Sequence, residues 1–399
     1  MTSGLTLQYS TTEAPAAAAA AVPRAERKGS AAMRVRPLRE DDLEAVADLF
    51  LQRFRASRRS PRARAEVAER MKALYLDQPT RADEADALVA LDPAGALAAF
   101  CGAMRVRFSF DGRPVTGCIT GTLMASTAPG HALSAVQILR ESRKLDYDFI
   151  MTDSANRASL AMCQAVGYSV VSPDSLEWAA VFDPARLALH KLRQRFDSSA
   201  LAALKPFAGA VDLAASAALR AAAGPSKRSE WRDEEVDAET FVDILPRFYA
   251  PFRLRPDLAR DDFLWLIGMA QRRRSAGPLR LQVLYDGSGA PAGAYAAFAA
   301  KGGVARVIHC AAAPNAWGRL FDRMRESARA WGCIAAHGPM KTPLLPHAYA
   351  ARGVFFYYAG GSLFYSNRED IRRAVESGGA LLGGFAGDRW TELASDRFG

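Results

Sequence analysis

The sequence predicts an α/β (α+β) protein built twice over, each half a mixed, mostly antiparallel sheet flanked by helices. Three observations lead there. Short runs rich in β-branched and aromatic residues alternate with stretches of helical period. The order loop, helix, strand and a helix stopping at glycine runs from Ser126 to Tyr168 and recurs from Ala313 to Val354. At 399 residues the chain exceeds what one core usually serves, so two domains are expected.

Arg34-Val35-Arg36 reads as a short strand, and the acidic run Glu40-Asp41-Asp42 opens a helix with Leu43, Val46, Leu49 and Phe50 on one face. A second helix covers Arg62 to Leu76. Strands follow at Ala87–Leu91, Ala96–Phe110 and Arg113–Ala125, the last two joined by the hairpin turn Asp111-Gly112. Gly117 and Gly121 mark either a bulge or close ligand approach, or simply a twisted sheet.

Ser126 to Ala132 is a loop entering a helix that runs to Lys144. Gly130 permits a tight turn and Ala132 keeps the first helical turn free of bulk, so the amides around His131 to Ser134 can face a phosphate at the positive end of the helix dipole. Leu133, Val136 and Leu139 supply the apolar face. Tyr147–Thr152 is a buried strand. Asn156 or Ser154 caps a helix carrying Leu160, Met162, Cys163 and Val166, and Gly167 ends it ahead of the strand Tyr168–Val171.

Residues 1–32 hold an alanine run amid Pro, Ser, Thr and basic residues and are expected to stay disordered; Met33 is a candidate start, and no signal peptide is recognisable. The first domain then spans 33–183. A helical linker, 184–230, contains the leucine-rich stretch Leu201–Leu219, read as an interdomain strut, and the break Gly224-Pro225-Ser226. The second domain spans 231–368: a helix at Ala238–Phe248, an apolar stretch at Asp262–Ala270, strands at Leu279–Tyr285, Gly293–Ala300 and Val304–Cys310, a helix to Trp331, and Thr342-x-x-Leu345-x-x-x-Tyr349-x-x-x-Gly353. In the tail, 369–399, Phe385, Trp390 and Phe398 are expected to anchor on the second domain.

Composition narrows the function. No run of 18 apolar residues is present to span a membrane. The five cysteines are scattered, with no C-x-x-C pair and no His/Cys cluster, as expected of reduced thiols in a cytoplasmic protein without a metal. A net charge of +9 and a pI near 9.5 suit an anionic ligand, while the even spread of arginine, without interleaved aromatics, argues against nucleic acid.

Two segments together resemble the GNAT N-acetyltransferase superfamily, whose loop is written Q/R-x-x-G-x-G/A and whose next helix is written N-x-x-A-x-x-x-Y-x-x-x-G-F. Here the loop reads Thr127-Ala128-Pro129-Gly130-His131-Ala132 and the helix Asn156-x-x-Ser159-x-x-x-Cys163-x-x-x-Gly167-Tyr168. Thr127 replaces Gln or Arg, Pro129 removes one amide, and Cys163 stands where the family has a general-acid tyrosine. The resemblance covers roughly Arg34 to Phe182, and the second half repeats its order with Tyr349 at the tyrosine position but without the glycine loop.

The resemblance implies acetyl-CoA or another acyl-CoA as co-substrate, held by Thr122, Leu123 and Met124 along its pantetheine arm and by Thr127, Gly130, His131, Ala132 and Asn156 nearer its phosphates. It also implies direct transfer to an amine in a ternary complex, the acceptor being a small molecule or a peptide; a homodimer is compatible with it. Such transfer needs amides that hold the pyrophosphate and polarise the thioester, a base, and an acid for the leaving thiolate. Cys163 and Tyr349 are the candidate acids, though a cysteine on an apolar helix face is more often core. His131 faces phosphate or is simply solvated. Asp111, Asp148 and Asp153 are acidic candidates for the base, and spacing selects none of them. A non-catalytic acyl-CoA-binding scaffold and a FemAB-like aminoacyl or peptidyl transferase, also built on paired GNAT-like folds, are the alternatives.

Overall fold

The computed structural model describes residues 33–196 and 230–391, save 274 and 359, together with Leu393. The amino-terminal tail, the stretch Leu201–Leu219, the break at Gly224 and Phe398 lie outside the described residues.

The first half runs β1 (Arg34–Pro37), α1 (Leu43–Phe54), α2 (Pro61–Tyr75), β2 (Leu88–Leu91), β3 (Leu97–Phe110), β4 (Arg113–Ala125), α3 (Ser134–Ser142), β5 (Phe149–Ala155), α4 (Arg157–Ala165), β6 (Ser169–Val170), β7 (Leu176–Val181) and α5 (Pro184–Phe196). The second runs β8 (Arg232–Glu235), α6 (Ala238–Ile244), β9 (Leu254–Pro256), α7 (Arg260–Gln271), β10 (Leu279–Tyr285), β11 (Pro291–Phe298), β12 (Val304–Ala312), α8 (Trp317–Ala330), β13 (Ala335–Pro339), α9 (Leu345–Ala350), β14 (Val354–Tyr358), β15 (Gly361–Tyr365) and α10 (Glu369–Glu376). No described helix is long and apolar enough to cross a membrane.

Local chemistry explains most boundaries. Ser60 caps α2 by accepting from the Ala63 amide, with Pro61 at the first helical position. Asp111 and Gly112 both take positive φ, +50° and +80°, as a two-residue hairpin between right-twisted strands requires. Gly167, at φ +94°, ends α4.

The strands form two sheets, ordered β1-β2-β3-β4-β5-β15-β6 and β14-β7-β13-β12-β11-β10-β8, with β9 joining the first beside β3. The halves exchange strands. β15, from the second half, lies between β5 and β6, pairing Phe364 with Met151 on one side and Ser169 on the other. β7, from the first half, lies between β13 and β14, pairing Trp178 with Gly338 and Phe356. Each sheet is therefore mixed and mostly antiparallel, as expected, but neither is made from one stretch of chain.

On one face of the first sheet, Val46, Phe50, Val67 and Met71 of α1 and α2 pack on Phe100, Met104 and Val106. On the other, α3 and α4 cover Cys118, Ile150 and Leu363. Burying such side chains at about 1.5–3 kcal/mol each is what holds the layers together. One continuous cluster extends from α1 through the second sheet to Phe385 and Trp390. The carboxy-terminal segment thus lies between the two sheets rather than on the second half alone.

Candidate active site

The parallel neighbours β4 and β5 pair only at Gly117–Phe149, Cys118–Ile150 and Ile119–Met151. Past that point β4 continues to Ala125 and β5 to Ala155 without pairing, and the gap between them is the candidate site. The Thr120 hydroxyl, donating to the Met151 carbonyl at 3.2 Å, closes its inner end. β4 also bulges there: Phe100 pairs with Met124 and Gly102 with Gly121, so Thr122 and Leu123 together oppose Cys101. Thr122 takes φ +53°, and its hydroxyl lies 3.0 Å from the Tyr75 hydroxyl at the end of α2. Among the expected arm contacts, Met124 is buried and Leu123 half-buried at the gap's edge.

The loop at the mouth is built from short local bonds. The Ser126 amide donates to Ala98 O at 2.8 Å and the His131 amide to Ala128 O at 3.1 Å. The Ser134 hydroxyl donates to Ala98 O and His131 O, tying the start of α3 to β3. Gly130 takes φ +88° with no atom within 4 Å of the position a β-carbon would occupy, so the turn faces open space. Thr127 and Ala132 are exposed. Among the described residues, no acceptor is recorded for the amides of Gly130, Ala132 or Leu133. Three amides beside the positive end of a nine-residue helix can donate to an anion's oxygens.

Other expected residues fall elsewhere. The His131 ring turns inward, Nε2 lying 3.4 Å from Asp92 Oδ2, so this histidine braces the loop and is not solvated. Leu133 is 73% exposed, because α3 begins one residue later and buries Ala135, Ile138 and Leu139 instead. Asn156 Oδ1 accepts from the Ala158 and Ser159 amides, both at 3.0 Å, and caps α4.

Cys163 packs among Cys118, Leu139, Ile150 and Val166, and burial pushes its thiol up to about 12. Tyr349 stands 82% exposed on the short α9 of the second half. Cys163 is thus a buried thiol on the packed face of α4 and Tyr349 an exposed surface side chain. Asp111 is clasped by Arg253, and Asp148 by the Thr116 amide and Arg368.

Asp153 alone among the expected carboxylates faces the gap, and it meets a residue that spacing did not reveal. Its amide donates to Asp388 Oδ1 at 3.1 Å, and the Asp388 amide donates to Asp153 Oδ1 at 3.0 Å. The Ser154 hydroxyl bonds Asp388 Oδ2, and Arg389 donates from Nε to the Asp153 carbonyl. On the β4 side, a β-carbon on Gly121 would lie 2.6 Å from Asp388 Oδ2. Burial and the hydrogen bond to Asp153 raise Asp388 well above the carboxylate range; burial works against ionising Asp153 too, but Asp388, Arg389 and Lys341 outweigh it and hold Asp153 low. The two shifts run in opposite directions, so Asp388 is the member of the pair that holds a proton more readily.

The second sheet opens in the same way: β12 and β13 pair only at Val304–Ala335, Ala305–Ala336 and Arg306–His337. That gap is closed by the chain itself. The Phe385 amide donates to His309 Nδ1 at 3.3 Å, and Gly384 lies so close to the ring that a β-carbon would collide with it.

No family model matches the sequence, and no curated protein does. Solved structures do. The fold is similar to a conserved protein of unknown function from Enterococcus faecalis V583, described as a probable N-acyltransferase, at TM-score 0.51 and 10% identity over 84% of this chain and 73% of that one. It is similar to a GCN5-related N-acetyltransferase from Anabaena variabilis ATCC 29413 at TM-score 0.50 and 10% identity over 84% of this chain and 72% of that one. With two sheets that each open between parallel neighbours, and with these likenesses spanning both halves, the chain has the fold of the GCN5-related N-acetyltransferases.

Proposed function

We propose that the protein is an acyl-CoA-dependent acyltransferase, transferring an acetyl or longer acyl group directly to the amine of a small molecule or peptide in a ternary complex. The observation that carries this reading is the gap between β4 and β5, with the open turn at Gly130 at its mouth. From Ser126 inward to Gly121 the unpaired edge of β4 spans roughly 17 Å at strand rise, an extended track between phosphates at the loop and a thioester at the bulge. The second sheet's gap is filled at His309 by Gly384 and Phe385, so we assign the co-substrate to residues 33–183 and the acceptor side to residues 231–368 and the carboxy-terminal segment. Cytoplasmic acyl-CoA is the supply this reading assumes.

The burial of Cys163 favours one second reading, an acyl-CoA-binding protein without turnover. Calorimetric titration with acetyl-CoA and free CoA tests the shared claim, and thiol release in the presence of amines separates the two. Gly130→Asp, which adds bulk and negative charge beside the phosphates, is expected to weaken CoA binding at least tenfold; unchanged affinity would remove the loop from the site.

A further inference from the structure

The gap ends against a carboxyl group. Asp388 sits between Gly121 at the β4 bulge and Asp153–Ser154 on β5, where a thioester threaded inward from the loop would stop. Gly102, the partner of Gly121 across the sheet, points at the Tyr75 ring, so Asp388 lies on the α1–α2 face beside the Tyr75 and Thr122 hydroxyls. No other carboxyl group in contact with the unpaired stretch of β4 is recorded among the described residues.

We propose that Asp388 is the catalytic proton-transfer residue of this site, handling the acceptor amine and the leaving thiol. The inference deepens the acyltransferase reading and rests on it. The neutral amine attacks the thioester carbonyl carbon and a C–N bond forms. As the tetrahedral adduct collapses, the C–S bond breaks and Asp388 gives its proton to the sulfur. The proton shed by the amine nitrogen returns to the Asp153–Asp388 pair. One proton has moved from nitrogen to sulfur, nothing is oxidised or reduced, and the pair ends as it began.

Burial and the bond to Asp153 favour the protonated form of Asp388, while the Ser154 hydroxyl and the Asp153 amide work against it. Asp153 from β5 and Arg389 from its own segment are the charged groups nearest Asp388, Lys341 acts on Asp153, and the other groups facing it, Tyr75, Thr122, Ser154 and Cys101, are neutral. Asp153 is the positioning residue, holding Asp388 by exchanged bonds.

The test uses the full chain and Asp388→Asn, which copies the shape and donor capacity of a protonated aspartate but cannot release a proton. Acetyl-CoA binding is measured by calorimetry, and thiol release is measured with butylamine, spermidine and a glycyl tripeptide. The infrared band of a protonated carboxylic acid is recorded at neutral pH. The expected result is a wild-type acid band absent from Asp388→Asn, acetyl-CoA affinity kept within twofold, and thiol release reduced at least about 100-fold, the low end for losing a general acid–base. Thiol release within threefold of wild type, or an acid band that persists in the variant, overturns the assignment. Wild-type binding without thiol release from any amine overturns it in favour of the binding-only reading. Failure of the wild type to bind acetyl-CoA at all sinks the acyltransferase reading, and the role of Asp388 with it; calorimetry separates that case because it needs no turnover.

Discussion

Asp153 and Asp388, 235 residues apart in sequence, each accept a hydrogen bond from the other's backbone amide, and this exchange pins the carboxy-terminal segment into the opening of the first sheet. Replacing Asp388 by Ala leaves the buried Asp153 amide without its acceptor, at a cost of about 1–3 kcal/mol, whereas Asp388→Asn keeps an acceptor there. Urea unfolding of the two variants is expected to show the alanine protein clearly less stable than the asparagine one; equal midpoints would mean the exchanged bonds contribute nothing.

Cys163 and Tyr349 provide the control for the site assignment. Cys163→Ala removes one buried heavy atom and is expected to cost about 1 kcal/mol. Tyr349→Phe alters a solvated surface and should cost under about 0.5 kcal/mol. Both are expected to keep acyl transfer within twofold of wild type, and a tenfold loss in either would return that residue to the chemistry.

His309 makes stability pH-dependent. Its Nδ1 accepts from the Phe385 amide, so the neutral ring carries its proton on Nε2, which donates to the Tyr249 hydroxyl at 2.9 Å. Burial, helped by the nearby Lys341 charge, lowers the ring to about 3, against about 6.5 when unfolded. Between those values the unfolded chain binds a proton that the folded chain refuses, so stability is full above pH 6.5 and falls on acidification. The slope is about 1 kcal/mol per pH unit. Urea midpoints from pH 7 to 5 are expected to fall in the wild type and stay nearly level in His309→Gln; parallel curves would show that the ring is already charged in the fold.

The exchanged strands predict a single unfolding event. Phe364 on β15 stacks on Phe149 of β5 with ring centres 5.2 Å apart, so a second-half residue completes the first-half core. Phe364→Ala is expected to cost about 3–5 kcal/mol. Fluorescence and circular dichroism should report one coincident transition in both proteins; a variant that unfolds in two steps would show the halves to be independent.

Much of the fold was legible in the sequence because it is written locally. Arg113–Ala125 and Leu279–Tyr285 match their strands residue for residue, and Asp111-Gly112 specifies its turn by backbone preference. Partner choice is not local. Leu176–Val181 and Gly361–Tyr365 show only that they are extended, and nothing in either names the sheet that takes it. Helix α9 is shorter than its spacing implies because Pro343 and Pro346 hold its start to Leu345, and it covers only Leu345–Ala350.

The site divides in the same way. The turn at Gly130 was readable because a glycine ahead of a helix start suits a positive φ, and it takes +88°. Leu133 misled because its period fits a helix that begins at Ser134. Asp388 carried no signal, since Gly121, Asp153 and Ser154, which frame it, lie more than 230 residues away along the chain.

The exchange of β7 and β15 also sets a schedule. A ribosome releases the chain from its amino end, and the first sheet has no neighbour for β5 on its far side until Tyr365 has emerged. Until Tyr365 is made, more than 200 residues after Ala155, the hydrogen-bonding edge of Phe149–Ala155 stays bare, the kind of edge that invites pairing with another nascent chain. For this protein, the hazard of a bare edge lasts until residues 354–365 arrive to complete both sheets together.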